Sequence, residues 1–136
     1  MSRFSSVLLD HARSPRNGRA MDSADGVGKS SLEGRAPYIT FFVRLRDDAE
    51  NTCAEATFLA FGCGFTLACC SILTELVENR TVQEALRITA GDVNRALEGI
   101  PGDRRFCADL AVEAAHAAFH DGRKNKDRLR RERQLS

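Results

Sequence analysis

The clearest pattern along the chain is an alternation. Ile39, Phe41, Val43 and Leu45 are apolar, and Thr40, Arg44 and Arg46 between and beyond them are polar. A period of two puts one set on a core face and the other on an open face, so the segment is predicted to be a strand. Phe42 falls on the polar side, which implies that this second face is partly covered. Asp47-Asp48-Ala49-Glu50-Asn51 reads as a polar hairpin loop. A return strand follows from about Thr52 to Phe61, with Ala54, Ala56, Phe58 and Ala60 on one face. The short connection makes the pair antiparallel.

After Gly64 the period changes. Leu67, Ala68, Ser71, Ile72 and Leu76 recur at steps of three and four, which predicts a helix up to about Asn79. Thr81-Val82-Gln83-Glu84 has the form of a capping box and opens a second helix. Asp92 begins a third, through Val93, Ala96 and Leu97, and Gly99-Ile100-Pro101-Gly102 breaks it. Phe106, Cys107, Leu110, Ala111, Ala114, Ala115 and Ala118 then make a long apolar stripe ending near His120-Asp121-Gly122. Ahead of the hairpin, Ser5-Ser6 caps a short helix through His11 and Ala12 that Pro15 stops.

Met21 to Glu33 is rich in Gly, Ser and Asp and reads as a mobile loop. Because a lone hairpin is marginal, a third strand is expected, with Ser30 to Gly34 as the candidate. Gly26-Val27-Gly28-Lys29-Ser30 lacks both the full P-loop spacing and a preceding strand, so it is not read as a phosphate cradle. Segregated strands and helices give an α+β class: a small antiparallel sheet of about three strands with helices packed on one face.

Composition adds bounds. At 136 residues, with 43% hydrophobic and 29% charged, the chain suits a single soluble globular domain. Residues 1–122 are taken as the domain and 123–136 as a basic C-terminal tail. From Arg123 to Arg133 there are seven basic and two acidic residues, against a net charge of +1 for the whole chain. The tail reads as solvated, either disordered or continuing the last helix as a frayed end, with a salt-sensitive nucleic-acid contact as the weaker alternative. No apolar run approaches the roughly 18–20 residues that span a bilayer, and the stretch from Met1 to Leu9 is too short and too soon charged for a secretory leader. A cytoplasmic protein with no membrane contact is expected. There its five cysteines stay mostly reduced, and their odd number argues against a disulfide framework. No CxxC pair or zinc-finger spacing is present, so a structural zinc is not signalled.

Phe61-Gly62-Cys63-Gly64-Phe65 stands where the return strand gives way to a helix. Glycine admits positive φ and close approach, and a thiolate at a helix N-terminus tends to a lowered pKa. Cys107 begins the last long helix, so two thiols at two helix starts can converge at one end of the sheet. Cys53 starts the strand that Cys63 follows, roughly 33 Å away at 3.3 Å per residue. Cys69 and Cys70 fall inside the helix and read as small core residues. His116 and His120 are one helical turn apart, but no paired carboxylate or nucleophile accompanies them, so the chain is not expected to be an enzyme. Asp10-His11 with Pro15-Arg16-Asn17 reads as a capped helix end bearing solvated charges.

Taken together, these residues resemble the iron–sulfur cluster scaffold proteins of the IscU type, also found as the N-terminal domain of NifU. The resemblance spans about Ser6 to Asp121. Its landmarks are Asp10-His11 with Pro15-Arg16-Asn17, then Phe61-Gly62-Cys63-Gly64 opening a helix, Thr74-Glu75-Leu76-Val77, and Ile100-Pro101 six residues ahead of Cys107. It implies an IscU/SufE-like fold and a platform role. A cysteine desulfurase delivers sulfur, iron is added, and a [2Fe–2S] cluster passes to an acceptor protein or chaperone. The implied ligands of cluster, iron or zinc are Cys63 and Cys107.

The chain also departs from that pattern. The family's first cysteine lies in Ala-Cys-Gly-Asp, where this chain reads Ala36-Pro37-Tyr38-Ile39-Thr40. Phe106 replaces the histidine before the last cysteine, and Ile100-Pro101-Gly102-Asp103-Arg104 stands for the Leu-Pro-Pro-Val-Lys chaperone motif. Two thiolates leave two of a [2Fe–2S] cluster's four terminal positions open, with Tyr38, Asp103 and Asp109 as local candidates to help. The alternative expectation is an accessory paralogue that docks a desulfurase or scaffold and accepts at most a persulfide on Cys63.

Overall fold

The computed structural model describes residues 4–135. Met1–Arg3, where the reading of the N-terminus begins, and Ser136, the end of the basic tail, lie outside the described residues. The elements run α1 (Ser6–Arg13), β1 (Gly26–Leu32), β2 (Arg35–Leu45), β3 (Cys53–Phe61), α2 (Gly64–Val77), α3 (Val82–Ala85), α4 (Ala90–Ala96), a short 3-10 turn (Gly102–Arg104) and α5 (Phe106–Leu135). The sheet is antiparallel throughout in the order β1-β2-β3. This is the expected α+β architecture of three strands with helices packed against them.

The alternation along β2 sets the core. Ile39, Phe41, Val43 and Leu45 are almost fully buried, and Phe41 pairs with Phe58 of β3. A bulge between Arg44 and Leu45 shifts the register, so Leu45 pairs with Cys53. Cys53 is fully buried, and Ala54, which the sequence places on the core face, is half-buried. Nine of the fourteen residues of α2 are buried, which makes it the central helix, packed between α1, β3, α4 and α5. Local caps fix the helix starts. Ser5 Oγ accepts from Leu8 N at 2.9 Å, and Thr81 with Glu84 forms the expected capping box. Asp92 does not begin α4. It is the third residue of α4 and closes a second capping box whose N-cap is Thr89.

Two segments differ from the sequence reading. Residues 26–32 are a strand, with a register shift between Ser31 and Leu32, rather than part of a mobile loop, and this strand is the third one, starting ahead of Ser30. Its glycines are contacts. A Cβ on Gly26 would lie 2.0 Å from Ala118 O, and one on Gly28 would lie 2.1 Å from Ala114 O. So β1 lies directly on the backbone of α5, along the seam of Ala114, Ala118 and Gly122, where no side chain fits. The second difference is the tail. Residues 123–135 are largely exposed, as a solvated segment would be, but they continue α5, which runs for 30 residues from Phe106 to Leu135. Asn125 Nδ2 donates to Asp25 O at 2.8 Å, and Arg130 donates to Asp48 O at 2.6 Å and Asn51 Oδ1 at 2.8 Å.

The outer face of the sheet is partly covered, as Phe42 implied. Phe58 N donates to Asn17 O on the free edge of β3, and Asp25 N donates to Val43 O at the opposite edge of β2. Between them the chain crosses the face, held by Arg19 to Glu55 at 2.6 Å and by Arg44 to Asp22 O at 2.8 Å. Beyond this strap, Leu59, Tyr38 and Phe61 remain 46%, 47% and 71% exposed. Among the described residues no helix is long and apolar enough to cross a membrane.

Candidate functional site

Cys63 occupies the corner between β3 and α2 as the N-cap residue of α2, in extended conformation. The corner is shaped by Gly62. A Cβ there would stand 2.8 Å from Pro37 Cβ and 2.8 Å from Thr66 Oγ1. Close approach, not positive φ, is therefore why glycine precedes the cysteine; among the described glycines, positive φ belongs to Gly34 and Gly99. Gly64 leaves ordinary contact distance to Ala12 of α1. Cys63 is exposed. What burial it has opposes ionisation, but the Thr66 amide and hydroxyl, the Phe65 amide and the Cys107 thiol outweigh that and hold it below the ordinary thiol range.

Cys107 lies at the start of α5, fully buried. Burial pushes its thiol up, and the neighbouring Cys63 pushes the same way against the hydroxyl of Thr66. The structure thus brings the two predicted cysteines together. Thr66 joins them: its hydroxyl donates to Cys107 Sγ at 3.4 Å and lies 3.7 Å from Cys63 Sγ. Thr66 has one proton to give and two sulfurs in reach. The two thiols also influence each other directly, favouring charge on Cys63 and a proton on Cys107. The sequence reading missed Thr66. Its signal was the spacing of three residues from Cys63, which sets it one turn into α2 below the corner.

The other cysteines are packing groups. Cys53 is fully buried at the far end of β3, and burial pushes its thiol up to about 12. Cys69 and Cys70 are fully buried and raised by the same cause. The Asp10-His11…Pro15-Arg16-Asn17 stretch is a brace rather than a set of solvated charges. Arg16 N donates to Ser71 Oγ at 2.8 Å, and Ser71 Oγ lies 2.7 Å from Nδ1 of the buried His11. His11 Nε2 faces Glu75 at 3.4 Å, and Asn17 Nδ2 donates to Thr74 Oγ1 at 3.0 Å. With Ser71 Oγ accepting from Arg16, its proton points to Nδ1 and leaves the histidine proton on Nε2. Desolvation and then Arg16 lower the pKa of His11 against the pull of Glu75 and Asp10, so it stays neutral.

The candidate helper ligands do not gather at the sulfurs. Tyr38 Oη donates to Gly34 O at 2.8 Å, and its ring meets that of Phe61. Asp103 lines a cavity of about 570 Å³ with Phe4, Phe65, Ile100 and Pro101, beside the start of α2. Asp109 faces Ala90, Gly91 and Asn94 on the α4 side. Among the described residues, no group of three or more His, Cys, Asp or Glu side chains could hold a metal ion. His116 Nε2 lies 2.9 Å from Ile88 O, and His120 sits beside Arg123.

Sheet, central helix and paired thiols define a small α+β protein that presents a dithiol at a strand-to-helix corner. Comparison with known proteins is specific about its kin. Residues 3–128 match the family model of the NifU-like N-terminal domain, and the chain belongs to that family. It is 33% identical over 118 residues to "Iron-sulfur cluster assembly scaffold protein IscU 1" of Archaeoglobus fulgidus, covering 87% of this chain and 75% of that one. The IscU scaffold protein of Aquifex aeolicus is 30% identical over 118 residues, covering 87% and 74%. Among solved structures, an N-terminal NifU-like protein from Brucella abortus aligns with a TM-score of 0.72 at 13% identity, covering 88% of this chain and 94% of that one. At that identity the likeness is one of fold.

Proposed function

We propose that this protein serves iron–sulfur cluster assembly as a scaffold or carrier, with Cys63 and Cys107 as the point where sulfur and iron are held. The observation that carries this is the meeting of one exposed, acidified thiol and one buried thiol at Thr66, in a chain of this family. The cluster is cargo. Thiolates suit it because they are soft, strong donors, and two of them fill two of the four terminal positions of a [2Fe–2S] cluster. The remaining ligands come from outside this chain: a partner protein or a small thiol. Zinc at the same pair needs the same outside help. A cysteine desulfurase is the expected sulfur donor, and apo iron–sulfur proteins or a chaperone are the expected recipients. Anaerobic reconstitution with ferrous iron and sulfide tests the reading. Visible charge-transfer absorbance and retained iron are expected, both lost in Cys63→Ala. No absorbance and no retained iron in the wild type would overturn it.

The lack of a third ligating side chain near the sulfurs, among the described residues, favours a second reading. In it the protein docks a desulfurase and handles sulfur without iron. Retained desulfurase binding by the Cys63→Ala, Cys107→Ala double variant, with no cluster formed by the wild type, separates this reading from the first.

A further inference from the structure

The two thiols are arranged unequally, and the inequality has a chemical use. Cys63 is at the surface, outside the first turn of its helix, and open to another molecule. Cys107 is fully buried, and the hydroxyl of the buried Thr66 links it to Cys63. An exposed thiol backed by a buried one in contact is the arrangement of an attacking and a resolving cysteine. The other three cysteines are less well placed for the second part. Cys53 is at the opposite end of β3, and Cys69 and Cys70 are fully buried inside α2, six and seven residues past Cys63.

Resting on the reading of Cys63 as the sulfur-handling thiol, we propose that Cys107 resolves a persulfide formed on Cys63, so that the dithiol itself reduces sulfane sulfur to sulfide. In the first step the Cys63 thiolate attacks the outer sulfur of a persulfide R–S–SH. The new S–S bond forms at Cys63 as the old one breaks, and R–S⁻ leaves. In the second step the Cys107 sulfur attacks Sγ of Cys63. The bond from Sγ to the terminal sulfur breaks, and hydrosulfide departs with the electron pair and the proton given up by Cys107. The products are a Cys63–Cys107 disulfide and H₂S. The sulfane sulfur gains two electrons and the two thiols lose them, so no other reductant enters this half-reaction. A dithiol reductant resets the pair.

Three features suit the second step. Cys107 is held beside Sγ of Cys63 through Thr66, so position directs its attack to the inner sulfur, and hydrosulfide is a competent leaving group there. Thr66 reaches both sulfurs, so its hydroxyl can turn to whichever bears charge as the bond shifts. Cys63 lies at the chain corner ahead of α2, with its side chain exposed, while Cys107 faces it from the first turn of α5.

The test uses the full chain, reduced and freed of small thiols, with glutathione persulfide as the probe. Released sulfide and intact protein mass are followed together. The wild type is expected to release one sulfide per chain and to lose two hydrogens, with a cross-linked peptide joining Cys63 and Cys107. Cys107→Ser is expected to keep one added sulfur on Cys63 and to release sulfide at least about tenfold more slowly. Cys107→Ala repeats the measurement, and far-ultraviolet circular dichroism checks that both variants fold. A wild type that keeps the added sulfur on Cys63, that passes it to Cys107, or that releases sulfide no faster than both variants overturns the proposal alone. Failure of Cys63 to take up sulfur in any of these proteins overturns the sulfur-handling reading beneath it as well.

Discussion

The two ends of β3 carry the same side chain in opposite circumstances. Cys53 at the start is sealed under the sheet, and burial pushes its thiol up to about 12. Cys63, just past the end, is exposed, and the first amides of α2 hold it below the ordinary range. Residue type is constant, so the difference is environment alone. One strand separates a packing group from a reactive one because a bulge turns Cys53 into the core while Gly62 bends Cys63 out of it. Counting cysteines, or scoring their spacing, does not see that distinction.

The most severe way to break the comparison is to label both thiols in the folded protein. Between pKa 12 and the ordinary value of 9.0 the thiolate fraction near neutral pH falls by about a thousandfold. Iodoacetamide at pH 7.5 is therefore expected to modify Cys63 at least about a thousandfold faster than Cys53, as read by peptide mass spectrometry. Comparable labelling of the two in the folded state would end the contrast.

Next in size is Gly62→Ala. Its Cβ collides with Pro37 and Thr66, so a loss of about 1–3 kcal/mol is expected in urea unfolding. An unchanged midpoint would mean that the corner yields freely.

The alkaline limb comes third. The folded pKa of Cys53 lies above its unfolded value, so its contribution is fully present below pH 9 and is lost as pH rises toward 12. Stability is expected to fall by up to about 1.4 kcal/mol per pH unit for this one thiol, and Cys53→Ala should flatten the fall. Cys69 and Cys70 are raised too, so part of the slope persists in that variant.

The smallest effect sharpens the other end of the strand. Thr66→Val removes a hydroxyl that lowers the Cys63 pKa, so the midpoint of its alkylation profile should move to higher pH. Alkylation near neutral pH should slow about threefold, and Thr66→Ser should restore it. A profile that does not move would reduce Thr66 to a packing residue.

What could be read from the chain followed what side chains do. The alternation of Ile39 to Leu45 and the box from Thr81 to Glu84 were legible because apolar period and cap chemistry are local. β1 was illegible for the converse reason. It packs by leaving side chains out, so Gly26 and Gly28 look like a loop until α5 is laid against them. The basic tail was legible only as a solvated or fraying segment, because charge gives no sign of a distant backbone partner. Here Arg130 and Asn125 spend their donors on backbone carbonyls of distant loops. At the site, both cysteines were visible as helix starts. Thr66 was missed because its spacing from Cys63 gives no sign that Cys107, 41 residues on, lies within reach of the same hydroxyl.

The seam between β1 and α5 has a mechanical consequence. With carbonyl and amide groups of the helix pressed onto glycine backbone, nothing compressible lies between sheet and helix at Ala114 and Ala118. Cys107 rides the same rigid rod, seven residues or roughly 10 Å from Ala114 at 1.5 Å per residue. Cys63 is tied instead to the sheet and α2. The gap between the two sulfurs is thus gauged from a distance, as the jaws of a caliper are set by its slide. One methyl group added on the seam would shift the rod and open or shut the jaws without touching either thiol.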